Sequence, residues 1–130
     1  MNPYPPDAPL TPSIPDPSAL WDTIGQLGRF FTGLDTDRGI APEQQWTLQV
    51  LKIAEEAGES AQAVICAWGT NPRKPQGTWL HVQEEVADTA ITSLITLYRM
   101  LGDQAPGFLT SVLAQKSTNF LPQTGIKENL

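Results

Sequence analysis

Residues 42–68 read PEQQWTLQVLKIAEEAGESAQAVICAW, and this stretch decides the fold class. Its apolar residues recur at intervals of three and four, which is the spacing of one side of an α-helix. Pro42 suits a first helical turn, because an N–H at that position would have no partner within the helix. Gly69 follows the stretch as a stop signal. We therefore predict one long helix over 42–68.

Three further stretches show the same helical period. They predict helices over 19–34, 78–101 and 106–120. Asp16 or Ser18 is expected to cap the first of these, residues 35–39 form a loop, and the proline-containing segment 71–77 is a connection that cannot be helical. Alternation typical of strands is absent. The sequence predicts an all-α fold in which the second and third helices pack as an antiparallel hairpin and two additional helices complete a four-helix-bundle-like domain.

The N-terminal segment differs in composition from the rest of the 130-residue chain. Residues 1–17 contain seven prolines, which prevent a helix from propagating and predict a disordered or extended tail. Residues 18–130 then form one helical domain, which is an ordinary length for a single core.

Composition excludes several classes of protein. A formal charge of −6 argues against broad nucleic-acid binding, which needs basic residues to neutralise phosphates. No apolar run approaches the roughly 20 residues needed to cross a bilayer, and no secretory signal is recognisable. With Cys66 as the single cysteine, an intrachain disulfide is excluded and a cytoplasmic location is expected.

Acidic residues cluster on one side of the second helix, opposite its predicted core face. That core face, in which Trp68 is expected to be buried, comprises Val50, Ile53, Ala54, Ala57, Ala61, Val64 and Trp68. Glu55, Glu56 and Glu59 converge on the other side with Lys52, at spacings where like charges repel. The rest of their stripe is apolar, so we expect a partly enclosed groove. Taken alone, the motif also fits a solvated acidic stripe.

A second acidic pair lies on the third helix. Its predicted core stripe comprises Val82, Val86, Ala90, Leu94, Leu97 and Leu101. Glu85 and Asp88 lie three residues apart on another side, and the antiparallel hairpin brings them to the height of Glu59. Carboxylates gathered in this way need a cation, and oxygen ligands favour Mg²⁺, Mn²⁺ or Ca²⁺ over zinc.

A di-iron bundle is excluded because that site uses two Glu-x-x-His pairs and this chain has one histidine, His81. His81 either reaches the acidic residues from one turn away or is a surface residue at the start of its helix. The second role is favoured.

The paired motifs resemble a known family. Glu55-Glu56-Ala57-Gly58-Glu59, followed after 25 residues by Glu85-Val86-Ala87-Asp88, resembles the EExxE…ExxD signature of the MazG-like all-α nucleotide pyrophosphohydrolases. The similarity includes Leu51-Lys52-Ile53-Ala54 and Asn71-Pro72-Arg73-Lys74, and it covers roughly residues 20–118. After this loop motif the chain departs from the Gly and Ser-His pattern of close relatives.

The resemblance implies a function and a site. It implies hydrolysis of a nucleoside triphosphate, (d)NTP, to the monophosphate and pyrophosphate with Mg²⁺ or Mn²⁺, and it suggests removal of unwanted nucleotides from the pool as the role. Glu56, Glu59, Glu85 and Asp88 correspond to metal ligands, and Glu55 is a candidate either for a further metal contact or for orienting the attacking water. Residues expected to bind the substrate are Lys52, Arg73, Lys74, Trp46 and Trp79. Lys116 and Asn119 are plausible counterparts of a phosphate-binding pair in relatives.

Two alternatives stay open beside this reading. One is a phosphoribosyl-ATP pyrophosphohydrolase, and the other is a non-catalytic helical interaction module that retains the metal site. Since one helix pair cannot cover both of its own faces, we also expect a homo-oligomer, a dimer or a tetramer.

Overall fold

The structure is a computed structural model that describes residues 16–122. It is all-helical, and these residues form no strand. A 3₁₀ turn, Pro17–Ala19, precedes the first helix, and another, Gly102–Gln104, precedes the last. The four α-helices are α1 (Leu20–Asp37), α2 (Pro42–Ala67), α3 (Trp79–Leu101) and α4 (Ala105–Phe120). The predicted number, type and order of the helices are confirmed.

The helix ends follow local signals, with one exception. Asp16 caps the 3₁₀ turn by accepting a hydrogen bond from the backbone N–H of Ser18 at 3.0 Å. At the end of α2, Gly69 takes a φ of 69°, which favours glycine and ends the helix where predicted. The exception is α1, which continues to Asp37, three residues beyond the predicted end at 34. Side-chain bonds from α2 and α3 to residues 35 and 36 hold this last turn.

Contacts along α2 and α3 show that the two helices form an antiparallel hairpin. Trp46 near the start of α2 donates to the carbonyl of Arg99 near the end of α3, at 3.2 Å. In the middle of both helices, the hydroxyls of Ser60 and Thr89 lie 3.1 Å apart. Beside the connecting loop, a small core forms from Ala63, Ala67 and Val82. The predicted hairpin is therefore confirmed.

The predicted core face of α2 is largely wrong, and that of α3 is wrong in part. Ala54, Ala57 and Ala61 are exposed, and Val50 and Trp68 are 49% and 69% exposed, whereas Ile53 and Val64 are half-buried. On α3, Val82 is buried as predicted and Leu94, Leu97 and Leu101 are half-buried, but Val86 and Ala90 are exposed. Short side chains and hydroxyls, which let the helices approach closely, face the hairpin interior instead. The most apolar stripe of α2 is thus turned outward.

Helix α1 lies across α3, and α4 extends from the end of α3. Gly25 and Gly28 allow the close approach, because a Cβ at Gly28 would lie 2.8 Å from the ring of Tyr98. Helix α4 buries Ala105 and contacts mainly α3 and the preceding 3₁₀ turn, whereas Phe108, Leu113 and Phe120 stay exposed. The structure therefore differs from the expected four-helix-bundle-like packing: α1, α2 and α3 pack together, and α4 contacts mainly the end of this unit.

Residues 1–15 of the expected proline-rich tail lie outside the described range, while Asp16 and Pro17 already belong to the first helical turn and its cap. Between residues 16 and 122, no helix is both long and apolar enough to cross a membrane.

Candidate functional site

Three carboxylates from the two hairpin helices meet at one place. Glu56 and Glu59 on α2 and Glu85 on α3 each offer one oxygen atom, and these oxygens all lie within 4.8 Å of one another. The side chains of Glu56 and Glu85 are only 13% and 15% exposed, whereas Glu59 is exposed at the rim. We call these three residues the acidic cluster. The prediction that acids of both helices face each other is confirmed.

The electrostatics of the acidic cluster favour a cation. Repulsion from Glu56 raises the pKa of Glu59, and partial burial, Glu85 and Glu55 raise it further. Oε2 of Glu85 is buried and has no hydrogen-bond partner. A buried acceptor without a partner carries an unfavourable desolvation cost, which a bound cation would remove. The cluster therefore fits a hard divalent ion held by oxygen ligands.

Two basic side chains border the acidic cluster. Nζ of Lys52 lies 3.2 Å from Glu55 and 3.4 Å from Glu56, so it offsets part of the negative charge. Nε2 of His81 lies 3.4 Å from Oε1 of Glu85, and Nδ1 lies 3.8 Å from Glu84. His81 therefore fits both of its expected roles, since it is a 54% exposed residue at the start of α3 and also reaches the acidic residues from one turn away. Its position in the first turn of α3 makes this possible.

Other predicted site residues lie outside the acidic cluster. Asp88 is exposed and does not belong to the group of oxygens within 4.8 Å, although it is one turn along α3 from Glu85. Glu55 is 60% exposed, and Lys52 is its ion-pair partner. Arg73 and Lys74 are exposed in the loop between α2 and α3. The structure from residue 16 to residue 122 shows no ion pair for either of these two basic side chains.

The tryptophans make contacts with protein groups other than the carboxylates. Trp46 is half-buried and donates to the backbone of Arg99 at the end of the hairpin far from the connecting loop. Trp79 packs edge-to-face on Trp68, with ring centroids 6.1 Å apart. The expected burial of Trp68 is wrong, because this pair lies beside the connecting loop with Trp68 69% and Trp79 51% exposed.

An apolar groove opens onto the acidic cluster. It has a volume of about 620 Å³, within the range of small-molecule pockets, and it lies between α1, α2 and α3. Lys52 and Glu56 form part of its lining, so the groove shares Glu56 with the acidic cluster, and Lys52 borders both. Its apolar walls are formed by Leu27, Phe31, Leu34, Leu48, Ile91 and Ile95. A partly enclosed groove beside the glutamates was expected, but its wall from α1 was not, since the periodicity of α1 predicts only an apolar stripe.

Comparisons of the chain with protein-family models, with curated proteins and with solved structures found no match. The resemblance to MazG-like proteins therefore rests on the two acidic motifs, their separation and the loop residues.

Sequence reasoning missed one residue beside the groove, Arg99. Its side chain is 3% exposed and makes an ion pair of 2.7 Å with Asp35. The available signal was a lone basic residue near the end of an otherwise apolar stretch, 94–101. Charged residues are rarely buried unless they are paired, so burial of such a residue requires a partner that only the fold supplies.

Proposed function

We propose that this chain is a Mg²⁺-dependent nucleotide pyrophosphohydrolase, which converts a nucleoside triphosphate and water into the monophosphate and pyrophosphate. The observation that carries the proposal is the meeting of three carboxylate oxygens from two helices within 4.8 Å, beside a groove of about 620 Å³. Such a group suits a divalent cation, and the groove gives space for a ligand whose charged end reaches that cation.

The acidic cluster would hold the ion. Glu56, Glu59 and Glu85 supply oxygen ligands, and the buried Oε2 of Glu85 is an acceptor that the fold leaves unused. The resemblance adds Asp88 as a fourth ligand. When bound, Mg²⁺ or Mn²⁺ neutralises charge on the phosphate chain and favours attack by water.

The remaining residues would act on the water and the substrate. Glu55 accepts a proton as the water oxygen bonds to the α-phosphorus, and the bond from that phosphorus to the β-side oxygen breaks to release pyrophosphate. Lys52, Arg73 and Lys74 offer positive charge to the phosphate oxygens. The apolar walls of the groove receive the nucleoside, with Phe31 as an exposed aromatic surface for the base.

We propose that two copies of the chain assemble through the outward face of α2, which carries Val50, Ala54, Ala57, Ala61 and Trp68. The face contains no charged residue, although the whole chain has a net charge of −6. It runs from residue 50 to residue 68, a rise of about 27 Å along the helix axis, which is long enough for contact with a second copy over about five helical turns.

The direct test is release of pyrophosphate from a panel of canonical and damaged (d)NTPs and from phosphoribosyl-ATP, with and without Mg²⁺. We expect Mg²⁺-dependent turnover of at least one (d)NTP. Glu59→Gln and Asp88→Asn should abolish turnover and leave the helical circular dichroism unchanged, because each removes a ligand charge but keeps the shape. The matched control is Glu43→Gln, an exposed acid in the first turn of α2.

The outcomes separate the alternatives. Turnover of phosphoribosyl-ATP and of no (d)NTP would indicate that the chain is a phosphoribosyl-ATP pyrophosphohydrolase. Stabilisation by Mg²⁺ without cleavage of any nucleotide would indicate a non-catalytic module. Full activity in both the Glu59 and Asp88 variants would rule out the proposed site. Loss of turnover in Glu59→Gln but not in Asp88→Asn would indicate that only the acidic cluster supplies metal ligands.

A further inference from the structure

Arg99 on α3 has a buried guanidinium, and its partners are buried or partly buried. Its Nε donates to Thr32 at 3.0 Å, its Nη1 to Gln49 at 2.6 Å, and its Nη2 to both Asp35 at 2.7 Å and Gln45 at 3.0 Å. Four of the five N–H groups of the guanidinium are thus used. With the side chain 3% exposed, these bonds are shielded from water and have a defined geometry.

The partners of Arg99 lie on two other helices. Thr32 and Asp35 belong to α1, whereas Gln45 and Gln49 belong to α2. Gln45 extends the network by donating to Ile40 in the α1–α2 loop at 2.7 Å. Helix α1 packs chiefly on α3 and only slightly on α2. Arg99 therefore ties α1 to both helices of the hairpin from a single side chain, beside the separate bond from Gln45 of α2 to Thr36 of α1.

The position of α1 determines the shape of the groove beside the acidic cluster. Leu27, Phe31 and Leu34 of α1 form one wall, and Leu48 of α2 lies among the residues of the facing side. Arg99 itself belongs to the lining, as does Glu56 of the acidic cluster. A buried ion pair contributes little net stability compared with apolar residues of similar volume, but it accepts only one arrangement of its partners.

We propose that Arg99 is a positioning residue, which fixes α1 relative to the hairpin and thereby sets the width of the groove that binds the nucleoside. The inference rests on the proposed function. The acidic cluster is built from α2 and α3 alone, so the position of α1 affects the binding of the nucleoside and not the binding of the metal.

The test compares Arg99→Lys with Arg29→Lys. Lysine keeps the charge but cannot satisfy the four acceptors on two helices at once. Arg29 is the matched control, because it also joins α1 to α3, through a 2.6 Å bond to Tyr98, but does not line the groove. The measurements are KM and kcat for the (d)NTP turned over by the wild type, binding of Mn²⁺ alone by electron paramagnetic resonance, and hydrogen exchange of the α1 amides.

We expect Arg99→Lys to raise KM on the order of tenfold and to accelerate amide exchange in α1, since small misplacements of a binding wall have large effects. Its Mn²⁺ affinity should match that of the wild type, and Arg29→Lys should change KM by much less. An unchanged KM in an active Arg99→Lys protein, or equal loss of Mn²⁺ binding, would overturn the inference. If the wild type cleaves no nucleotide, the proposed function fails, and unchanged α1 exchange in Arg99→Lys would then overturn the positioning role separately.

Discussion

Glu59 carries a carboxylate whose pKa is raised above the usual value of 4.5, first by repulsion from Glu56 and then by partial burial. Below that value Glu59 is protonated in both the folded and the unfolded protein, so it does not change the free energy of unfolding. As the pH rises through 4.5, the unfolded chain releases the proton more readily, so ionisation of Glu59 lowers the free energy of unfolding. The fold therefore bears an electrostatic cost at neutral pH that a metal ion would remove.

Glu59→Gln should consequently stabilise the metal-free protein. At about pH 7 with a chelator present, we expect Glu59→Gln to have a higher Tm than the wild type. The two Tm values should coincide at about pH 3.5, where Glu59 of the wild type is neutral as well. Thermal unfolding followed by circular dichroism across this range measures the difference. Glu43→Gln is the control and should show no such gain. A lower Tm for Glu59→Gln at neutral pH would contradict the charge repulsion.

Added Mg²⁺ should reverse the order of stability. A ligand that binds only the folded state raises its stability by mass action, so the wild type should gain Tm with Mg²⁺ concentration while Glu59→Gln gains little. Equal shifts in both proteins would show that Mg²⁺ acts elsewhere than at the acidic cluster.

At the scale of helices, two glycines of α1 have different roles: Gly28 allows close packing against α3, whereas Gly33 only lowers the helix propensity of α1. A Cβ at Gly28 would lie 2.8 Å from the ring of Tyr98, whereas a Cβ at Gly33 would meet nothing within 4 Å. Gly28→Ala should therefore lower the free energy of unfolding by about 1–3 kcal/mol through overpacking. Gly33→Ala should raise it by roughly 0.5–1 kcal/mol, because alanine is the better helix former. Denaturant titration of both variants gives the comparison, and a stabilising Gly28→Ala would refute the close approach.

The sequence predicted the helices better than it predicted their faces. Pro42 and Gly69 are local signals, so the ends of α2 follow from neighbouring residues. Which side of a helix is buried depends on its neighbours in space. Here the hairpin interior is formed by small and hydroxyl-bearing residues such as Ala63 and Ser60, which contribute little to an apolar stripe. The more apolar stripe of α2 was therefore assigned to the core, although it faces outward.

The candidate site was predictable in part for the same reason. Glu59 and Glu85 lie at similar distances from the connecting loop, so antiparallel packing brings them together. The helical periodicity of the sequence is enough to predict this proximity. The groove and Arg99 depend on where α1 crosses the hairpin. That crossing is set by Gly28 against Tyr98 and by polar partners up to 67 residues away in sequence, and no local pattern encodes such a pairing.

For the whole molecule, the distribution of apolar side chains is the observation behind the proposal that two copies of the chain assemble. Among the residues from 16 to 122, the buried apolar core consists of Ile24, Ala63, Ala67, Val82, Ile95 and Ala105. Many larger side chains stay exposed, including Val50, Leu51, Ile65 and Trp68 on α2. Exposed patches of this kind on a helical hairpin mark surfaces for association, and small residues among them allow close contact between helices.

A charge in the middle of the outward face of α2 should therefore separate the copies. Ala57 lies near the centre of that face and is exposed in the single chain, so Ala57→Glu leaves the hairpin intact but places an unpaired charge in the interface. We expect the wild type to have the mass of a dimer or a larger even assembly, and Ala57→Glu the mass of one chain, in light scattering coupled to size exclusion. Ala114→Glu on α4 adds the same charge at another exposed alanine and should keep the wild-type mass. A monomeric wild type, or an Ala57→Glu protein that still assembles, would exclude this face as the contact, because a glutamate buried between two uncharged helix faces has no partner that could offset its desolvation.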